Sequence, residues 1–513
     1  MILHGNVKHE IGHRSPMLYG HFIEHFHRQI YGGIYDPASP FSDEDGFRTD
    51  VLDALRKIKI PVLRWPGGCF VSSYHWKEAV GAKRTPFFDK AWRVEDPNTF
   101  GTDEYIKLCR KLHCEPYICT NAGTGTAEEM SDWVEYCNLA AEGKYAKWRI
   151  ENGFSDPHQV KYWSIGNENY GFWEIGAKDS VEWSRLVKES AKMIKHVDPL
   201  TQLSAAALTD LDWNIRLLTE AGDFLDWISI HQYWDPINQT NDYADYEQCM
   251  AYTHRIGHSI EKIRGLLTAM DLEKKIRIAF DEWNLRGWYH PNVHTIQQGI
   301  TKEEYLYPRD KNDDNTKYTM ADAVFTACFL NELNRNCDIV GMANYAPAVN
   351  TRGCIFTHSQ GIVLRTTYHV FDLYTNYMGD IVLNTWSEDM PSMEVESKDL
   401  QQISLPALDV LATRWSDRSG IAVAAVNKDP ESSQTLQLKI SGVKGKAKQF
   451  YITGNSTESY NDVQHEEVNI LEKDLGLISD KVSIVLPPHS VSVIQIGYTS
   501  ALKAPVRCFG NHL

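Results

Sequence analysis

The sequence predicts an α/β protein: a (β/α)8 TIM barrel joined to a C-terminal antiparallel, jelly-roll-like β-sandwich. Three observations lead to this fold class. Eight short apolar runs alternate with amphipathic stretches over roughly 360 residues, which is typical of a barrel of parallel strands with long loops. Two of these runs end in a glutamate. From about residue 379, helical periodicity gives way to the period-two alternation of β-strands.

The eight apolar runs predict the barrel strands, because each has the length of a buried strand and is followed by turn residues. They lie at residues 17–22, 61–65, 116–120, 162–168, 203–208, 227–233, 276–282 and 339–345. Between them, the 3.6-residue period of an amphipathic helix is clearest at 51–58, 103–112, 129–141, 181–197, 259–267 and 320–333. In such a barrel the active site is built from the carboxyl ends of the strands.

The last part of the chain predicts the second domain. Alternating β-type runs at 421–427, 435–440, 482–486 and 490–496 are separated by turn signals about every ten residues, as in a β-sandwich. The first fifteen residues precede the first barrel strand and are expected to lend the sandwich a strand. The predicted domains are a barrel at 16–378, a sandwich formed by 1–15 with 379–500, and a tail at 501–513.

The composition favours a neutral substrate. The 513 residues carry a formal net charge of −16, and the sequence pI is about 5.7. Such a surface repels nucleic acid and anionic membranes, so neither is expected as a partner. Hydrophobic residues make up 42% of the chain, which is enough for a large core.

The chain is expected to be cytoplasmic. Its first residues lack the basic segment and apolar stretch of a secretory signal, and no window approaches the roughly 18 apolar residues of a membrane span. The ten cysteines form no C-x-x-C motif, and Cys109, Cys137 and Cys328 fall within helical or strand patterns. This usage suits small buried thiols in a reducing compartment.

Glu168 and Glu282 are the candidate catalytic residues, since each ends an apolar run at the predicted mouth of the barrel. Most glutamates are surface charges or ion-pair partners. Here both follow strongly apolar runs and lie beside Asn, Trp and Tyr, which argues against a surface role. Cleavage of a glycosidic bond needs one carboxylic acid to protonate the leaving oxygen and a second carboxylate to attack or to activate water.

A series of motifs along the chain extends this hypothesis. They are GHFIEH at 20–25, YGGIYDP at 31–37, LRWPGG at 63–68, YWSIGNE at 162–168, IHQY at 230–233, DEWN at 281–284, VNTRG at 349–353 and TYHV at 367–370. Each motif alone is weak, but their order and spacing are highly specific. Together they resemble the α-L-arabinofuranosidases of glycoside hydrolase family 51, in the clan A retaining glycosidases, from about residue 10 to residue 497.

The resemblance implies an enzyme that removes terminal non-reducing α-L-arabinofuranosyl residues from arabinan or arabinoxylan oligosaccharides with retention, and without a cofactor or a metal. Glu168 would be the general acid/base and Glu282 the nucleophile that forms a covalent glycosyl-enzyme. Asn167 would contact a sugar hydroxyl, and Glu24 would contact the same furanose ring. The resemblance also implies a homo-oligomer, either a hexamer or a trimer.

Further residues complete the predicted sugar pocket. By the same resemblance, His231 and Tyr233 would line it, with Tyr233 bonding the nucleophile. Arg64, at the end of the second predicted strand, would keep Glu282 ionised, because a nearby cation favours the charged form of a carboxylate. Four tryptophans are candidate stacking platforms for a sugar. They are Trp65, Trp173, Trp234 and Trp288.

The chain departs from the family pattern at several positions, among them Ser72-Ser73-Tyr74, which replaces the commoner Ser-Gly-Tyr. Cys69 follows Pro-Gly-Gly where the family often has Asn, and it is counted among the substrate-binding candidates. The eighth strand continues as NYAPAVNTRG at 344–353, whereas better-known relatives place a pocket Gln shortly after Val-Asn. The contacts made by this strand and the preference among linkages are therefore left open.

Three alternatives compete with this hypothesis. His21, Glu24 and His25 match H-x-x-E-H, a zinc peptidase signature, but that motif needs a helix and here it follows a predicted strand end. A non-catalytic carbohydrate-binding protein would keep an aromatic cleft without chemistry, and the presence of both glutamates argues against it. The same barrel acting on xylosides or β-glucan is excluded only weakly by the sequence.

Overall fold

The computed structural model describes residues 1–237, 242–287, 312–398, 401–478 and 482–497. Eight parallel strands close into a barrel in chain order, and the last strand pairs with the first. The strands are Gly20–Phe22, Val62–Trp65, Glu115–Thr120, Tyr162–Ile165, Gln202–Ala206, Trp227–Asp235, Arg277–Arg286 and Val340–Tyr345. Each overlaps one of the predicted runs, so the barrel prediction is confirmed.

The first barrel strand is shorter than its apolar run. Pro16–Tyr19 forms a 3-10 helix, and the hydroxyl of Ser15 caps it by accepting a hydrogen bond from the amide of Met17. Proline suits the first turn of a helix because it has no N–H to satisfy there. The apolar residues before Gly20 therefore lie in this helix, where Leu18 and Tyr19 are buried.

Helices connect and surround the barrel strands. In the described part of the chain the α-helices are Thr49–Lys57, Thr102–Leu112, Ala127–Asn138, Gly143–Glu151, Ser180–Val197, Leu211–Ala221, Tyr246–Tyr252, His258–Ala269, Met320–Arg335 and Thr366–Tyr377. Further 3-10 helices are Cys69–Ser73, Trp76–Ala79, Thr253–Arg255 and Asn315–Lys317. Each predicted helical stretch coincides with one of the α-helices.

The capping chemistry explains where the longest helix begins. The carboxylate of Asp179 accepts hydrogen bonds from the amides of Val181 and Glu182, and the side chain of Glu182 accepts one from the amide of Asp179. This reciprocal capping box satisfies the amides that the first turn leaves without a partner. A similar box with Thr319 begins Met320–Arg335.

The barrel interior is apolar at one end and polar at the other. A small cluster fills the end where the strands begin, and it consists of Val62, Tyr117, Tyr162, Trp227, Ala279 and Met342. Charged side chains occupy the interior toward the opposite, carboxyl end, where Arg64 and Asp281 are fully buried. The functional chemistry therefore lies at the end where the strands finish, as expected for this fold.

The C-terminal part is rich in antiparallel sheet, as the sequence predicts. Nine strands form one sheet in the order Leu471–Ile478, Gly445–Ile452, Ser490–Gly497, Gly420–Asn427, Leu408–Arg414, Ile381–Glu388, Ile2–His13, Gln434–Ser441 and Val482–Leu486. One pairing differs from the expected antiparallel pattern, because Ile2–His13 runs parallel to Gln434–Ser441. The N-terminal strand comes from the far end of the chain, so no hairpin constrains its direction.

Strand Gly420–Asn427 shows how this sheet is buried on both faces. Ile421, Val423 and Ala425 belong to the hydrophobic core of the C-terminal sheet. Their neighbours Ala422 and Ala424 belong to the large cluster that continues into the barrel. A strand buried on both sides is expected to be apolar along its length, and this one is apolar from Ile421 to Val426.

Short two-stranded sheets complete the described structure. They pair Phe87–Asp89 with Val94–Asp96, Ile355–His358 with Gly361–Leu364, Ser392–Ser397 with Gln401–Pro406, and Asn461–Asp462 with His465–Glu466. In the described ranges, no helix has both the length and the apolar character that a membrane crossing needs. The domain limits at 15/16 and 378/379 stay predictions, and the predicted tail at 501–513 lies outside the described residues.

Candidate active site

The backbone after the fourth barrel strand turns sharply at Glu168. The strand ends at Ile165, after which Gly166 and Glu168 adopt left-handed conformations with φ of 69° and 44°. A Cβ at Gly166 would lie 2.2 Å from Oδ1 of Asn169 and 2.5 Å from the ring of Trp183, so only glycine fits. A left-handed glutamate is uncommon, and such backbone conformations concentrate at functional sites.

The carboxylate of Glu168 is held by two ring nitrogens. Nδ1 of His231 lies 2.9 Å from Oε1, and Nε1 of Trp173 donates a 2.9 Å hydrogen bond to Oε2. Burial raises the pKa of Glu168, but the hydrogen bond and positive charge of His231, together with Trp173, lower it below its ordinary value. In this arrangement Glu168 is ionised.

Glu282 lies on the seventh strand and is bound by groups from two other strands. Nη1 of Arg64, from the second strand, donates to Oε2 at 2.8 Å. The hydroxyl of Tyr233, from the sixth strand, donates to Oε1 at 2.7 Å. Charge-assisted hydrogen bonds of this kind favour the ionised carboxylate. The structure thus contains the contacts that the sequence predicted for Arg64 and Tyr233.

The two glutamates face each other across His231. One oxygen of Glu168, one oxygen of Glu282 and a ring nitrogen of His231 all lie within 4.8 Å of one another. Retaining glycosidases separate their two carboxyl groups by about 5–5.5 Å, and inverting ones by roughly 6.5–9.5 Å. One oxygen of each glutamate thus lies within 4.8 Å of the other, which is shorter than the gap of an inverting enzyme and compatible with a retaining one.

His231 is surrounded by carboxylates. Besides Glu168, its Nδ1 lies 3.5 Å from Oε2 of Glu282, and its Nε2 lies 3.3 Å from Oδ1 of Asp281. Burial lowers the pKa of His231, but the charges and hydrogen bonds of these three carboxylates raise it to about 10. The imidazole is therefore a cation that lies between the two candidate catalytic groups.

Asp281 is a site residue that the sequence reasoning missed. Its oxygens accept hydrogen bonds of 2.6 Å from the hydroxyls of Tyr117 and Ser229, and it is fully buried. In a regular strand, Asp281 and Glu282 would point to opposite faces. A bulge between Ala279 and Glu282 shifts the pairing with the sixth strand, so that both acids face the interior.

Asn167 links Arg64 to a second buried acid, Glu174. Its Oδ1 accepts from Nη2 of Arg64 at 2.7 Å, while its Nδ2 donates to Oε1 of Glu174 at 3.0 Å. The other oxygen of Glu174 accepts from the hydroxyl of Ser72 at 2.7 Å. Sequence reasoning missed Glu174, because it lies in an irregular loop without a periodic pattern.

Glu24 is buried beside these groups. Its Oε1 accepts hydrogen bonds from the amides of Gly68 and Phe70 and from Nε1 of Trp92, at 2.9, 3.2 and 3.0 Å. Its Oε2 has no hydrogen-bond partner within the described residues. Burial and the nearby charge of Glu282 raise the pKa of Glu24 to about 8. This side chain can therefore carry a proton near neutral pH and offer it to a ligand.

Gly68 marks the point where the predicted pocket residues converge. A Cβ built there would lie 3.4 Å from Oε1 of Glu24, 3.5 Å from Oε2 of Glu282 and 3.6 Å from Nδ2 of Asn167. Three polar groups from distant parts of the chain thus converge beside a residue without a side chain. Convergent polar groups of this kind are typical of a small-ligand site.

Cys69 begins the 3-10 helix beside this volume and is partly exposed. Burial of its thiol and the neighbouring carboxylates Glu174, Glu24 and Glu168 raise the pKa of Cys69 well above its ordinary value. The thiol is also hydrogen-bonded to Glu174. Cys69 is therefore a neutral thiol, and its part in substrate binding stays a prediction.

The tryptophans predicted to stack on a sugar have different surroundings in the structure. Trp173 donates its N–H to Glu168, so it has a role beside the acid in addition to any stacking. The platform hypothesis is wrong for Trp65, which is fully buried and stacks on Tyr105 at 4.7 Å. It is also wrong for Trp234, which packs among core phenylalanines. Trp288 lies outside the described residues.

Arg352 is a further residue that the sequence reasoning did not select, although it lies within the VNTRG motif. Its Nη2 donates to the hydroxyl of Tyr233 at 3.4 Å, and its guanidinium lies 5.0 Å from the centre of that ring. The residue is almost completely buried. It thus contacts the same hydroxyl that donates to Glu282.

The H-x-x-E-H motif does not form a metal site. Gly20–Phe22 is a strand, not a helix, and the two histidines have separate partners. Nδ1 of His21 faces the carbonyl of Tyr19 at 3.2 Å, whereas Nδ1 of His25 faces Asp96 at 2.8 Å. The zinc peptidase alternative therefore fails on geometry.

Comparison with known proteins agrees with this geometry. Residues 54–251 match the model of the alpha-L-arabinofuranosidase 1 domain, and residues 281–490 match that of the alpha-L-arabinofuranosidase C-terminal domain. A probable alpha-L-arabinofuranosidase C of Aspergillus clavatus is 33% identical over 94% of both chains. An intracellular exo-alpha-(1->5)-L-arabinofuranosidase of Halalkalibacterium halodurans is 32% identical over 85% of this chain and 86% of its own length.

Solved structures show the same architecture. The alpha-L-arabinofuranosidase of Thermotoga maritima in its arabinose complex superposes with a TM-score of 0.86 at 34% identity, covering 97% of this chain and 99% of that one. The GH51 alpha-L-arabinofuranosidase of Thermotoga petrophila gives a TM-score of 0.84 at 34% identity, covering 96% and 99%. With such identity over nearly the whole length, the chain belongs to the α-L-arabinofuranosidases of glycoside hydrolase family 51.

Proposed function

We propose that this protein is a retaining exo-α-L-arabinofuranosidase in which Glu282 is the nucleophile and Glu168 the general acid/base. The observation that carries the proposal is the pair of carboxylates within 4.8 Å at the carboxyl end of the barrel. The separation suits direct attack on the anomeric carbon, because a water molecule between the acids would need a wider gap.

The surroundings of the two acids support this division of roles. Glu282 receives hydrogen bonds from Arg64 and Tyr233 on both oxygens, which fix the orientation of the nucleophile. In the first step, a Glu282 oxygen bonds to the anomeric carbon while the bond to the leaving oxygen breaks, and Glu168 gives that oxygen its proton. In the second step, Glu168 takes a proton from water, whose oxygen bonds to the anomeric carbon and releases Glu282.

His231 supplies a route for the proton that Glu168 needs. In the free site the imidazolium lies 2.9 Å from the carboxylate of Glu168. A proton that moves along this hydrogen bond converts Glu168 into an acid and leaves a neutral imidazole. The negative charge of Asp281, 3.3 Å from the other ring nitrogen, keeps the ring in place during this exchange.

Replacement of each glutamate by alanine tests the two roles. Glu282→Ala is expected to abolish turnover of natural substrates, because no nucleophile remains. Glu168→Ala is expected to keep glycosylation by substrates with very good leaving groups, and azide should rescue it to give an arabinosyl azide of retained configuration. Glu151→Ala, at an exposed helix end, is the control and should have normal activity. An inverted azide from the Glu168 variant, with a retained one from the Glu282 variant, would reverse the assignment.

The substrates we propose are arabinan and arabinoxylan oligosaccharides with terminal arabinofuranose. The family membership supports this, and so does the name of the Halalkalibacterium relative as an exo-acting enzyme on (1->5) linkages. A panel of arabino-oligosaccharides of defined linkage measures the preference. Activity on xylosides or β-glucan without activity on arabinofuranosides would refute the proposal.

We also propose that catalysis needs no metal. Glu168, His231 and Glu282 could geometrically surround a cation, but Arg64 and Tyr233 already donate to both oxygens of Glu282. A cationic imidazole is not a metal ligand either. Full activity is expected after prolonged treatment with a chelator. Loss on chelation and recovery on addition of zinc would contradict this.

The remaining proposals concern the setting of the enzyme. A cytoplasmic location agrees with the intracellular relative, and fractionation of the source cells tests it. A homo-oligomer, a hexamer or a trimer, is proposed from family resemblance, and light scattering at micromolar concentration measures its mass. A strict monomer would refute the oligomer and leave the catalytic roles unaffected.

A further inference from the structure

Glu174 is a buried acid that has no place in the two-carboxylate mechanism. It lies in the loop after the fourth barrel strand, only 5% exposed. Its oxygens accept hydrogen bonds from Nδ2 of Asn167 at 3.0 Å and from the hydroxyl of Ser72 at 2.7 Å. The thiol of Cys69 is a third hydrogen-bonding neighbour. All three neighbours can donate, which matches the acceptor-only character of a carboxylate.

Glu174 decides how the amide of Asn167 is turned. Asn167 has an acceptor end, which receives a 2.7 Å hydrogen bond from Nη2 of Arg64, and a donor end, which faces Glu174. If the amide were turned by half a rotation, its NH2 group would face the N–H of Arg64, and its oxygen would face a carboxylate. Both contacts would be repulsive. Arg64 also donates to Glu282, so the orientation of the Asn167 amide affects the position of the nucleophile through Arg64.

Glu174 also lies close to the acid/base along the chain, because backbone hydrogen bonds from Gly171 N to Glu168 O at 2.7 Å and from Glu174 N to Gly171 O at 3.0 Å fold the loop between them into consecutive turns. Burial and the charge of Glu168 raise the pKa of Glu174 to about 7. This interaction is reciprocal, because two like charges each oppose the ionisation of the other. An ionised Glu174 therefore favours the protonated form of Glu168, which is the form that acts as an acid. Its effect opposes that of His231, which lowers the pKa of Glu168.

We infer that Glu174 is a positioning residue with two separable effects: its oxygens orient Asn167 and through it Arg64, and its negative charge helps Glu168 to hold the catalytic proton. The inference rests on the proposed roles of Glu168 and Glu282. The titratable groups that face Glu174 are Cys69, Glu24, Glu168 and Tyr170. Cys69 is held neutral by its raised pKa, and so is Tyr170, so Glu24, with a pKa of about 8, is the neighbour that changes charge near neutral pH.

Two substitutions separate the effects. Glu174→Gln keeps an oxygen that can accept from Asn167 but removes the charge. Its kcat/KM at the optimum is expected to stay within about threefold of the wild type. The hydrogen bond from Asn167 is kept, and replacing a charged acceptor by a neutral one weakens such a bond only modestly. The alkaline limb of its kcat/KM profile is expected to move to lower pH by about half a unit or more, since Glu168 then loses its proton more readily.

Glu174→Ala removes both effects. The kcat/KM at the optimum is expected to fall by about 10²-fold, because the groups that depend on Asn167 lose their position. The loss should appear mainly in kcat, since Arg64 acts on the nucleophile. Ser72→Ala removes one donor to Glu174 and so favours its protonated form. It should move the alkaline limb in the same direction as Glu174→Gln, by a smaller amount.

Asp103→Asn is a matched control. Asp103 is also buried and binds the hydroxyl of Tyr136 and the ring of His158, but it is on a helix outside the pocket. Its variant can lose stability, yet its alkaline limb should remain at the wild-type pH. Thermal unfolding of all variants separates a loss of fold from a loss of function.

The inference is overturned if Glu174→Gln leaves the alkaline limb unmoved, or if Glu174→Ala keeps the wild-type kcat. A second measurement separates failure of this inference from failure of the proposed function. It uses a substrate whose leaving group needs no protonation. If Glu168→Ala retains activity only on that substrate, Glu168 is the acid, and an unmoved limb in Glu174→Gln counts against Glu174 alone. If Glu168→Ala loses equally on all substrates, the assignment of the acid itself is wrong.

Discussion

His231 and Glu168 form a hydrogen-bonded ion pair between the sixth strand and the turn after the fourth, with Nδ1 and Oε1 2.9 Å apart. The pair brings a cation to the group that must donate a proton during catalysis. It explains why the pKa of Glu168 is lowered in spite of burial. It also means that the protonation of the two side chains changes together.

His231→Asn tests this pair. The variant removes the imidazolium, whose pKa of about 10 lets it hold the proton that Glu168 needs, so the alkaline limb of kcat/KM is expected to move to lower pH. The optimum rate should fall by about 10–10²-fold, because Asp281 loses its cationic neighbour and Glu168 its hydrogen-bond partner. His113→Asn, at an exposed left-handed position that Asn tolerates, is the control. An alkaline limb at the wild-type pH would contradict the proposed coupling.

Arg64 connects the nucleophile to Asn167, and its replacement should reduce both stability and activity. Arg64→Leu leaves Glu282 and Asp281 buried with one cation fewer, which is expected to lower the free energy of unfolding by about 3–5 kcal/mol. Arg64→Lys keeps the charge, but one ammonium group cannot reproduce the two directed bonds to Glu282 and Asn167.

Denaturant unfolding and steady-state kinetics measure the two Arg64 variants. The lysine variant should be the more stable of the two and still be severely impaired in kcat. A leucine variant as stable as the wild type would show that the buried pair contributes nothing to folding.

Tyr233→Phe removes the hydroxyl that binds Oε1 of Glu282 at 2.7 Å. A hydrogen bond to a charged group contributes about 1.5–3 kcal/mol, so kcat/KM is expected to fall by roughly 10–10²-fold. The fold should be kept, because the ring remains to pack against Arg352. Tyr460→Phe, in the C-terminal domain, should have wild-type kinetics. If both variants have the wild-type kcat/KM, the Tyr233 hydroxyl has no role in catalysis.

Cys69 is the one cysteine of the described residues that is not fully buried. Its thiol has a raised pKa, so alkylation by iodoacetamide should be slow at neutral pH and accelerate as the pH rises. Modification of Cys69 is expected to inactivate the enzyme by filling the pocket, and arabinose should protect it. Peptide mass spectrometry identifies the modified residue, and Cys69→Ser should resist inactivation. Unimpaired activity after complete modification of Cys69 would place the residue outside the pocket.

Much of the site could be predicted from sequence because it depends on motifs at strand ends. Glu168 and Glu282 end apolar runs, and Arg64 ends another, so their place at one end of the barrel follows from the fold. Asp281 was missed because strand alternation places it on the face opposite to Glu282, and the bulge that brings both acids to one side is a property of pairing with the sixth strand. Trp65 and Trp234 were misjudged because a tryptophan beside a motif looks the same whether it packs in the core or faces a ligand.

The sequence by itself determined the order of strands and helices, the family and the two candidate catalytic glutamates, because hydrophobic periodicity and short motifs are local properties of a chain. Only the tertiary structure decided which charges meet. His231 contacts three carboxylates from two distant segments, and Glu174 accepts a hydrogen bond from Ser72 across 102 residues of sequence. Proton affinities in such a site depend on distance and burial, and neither quantity is fixed until the barrel closes.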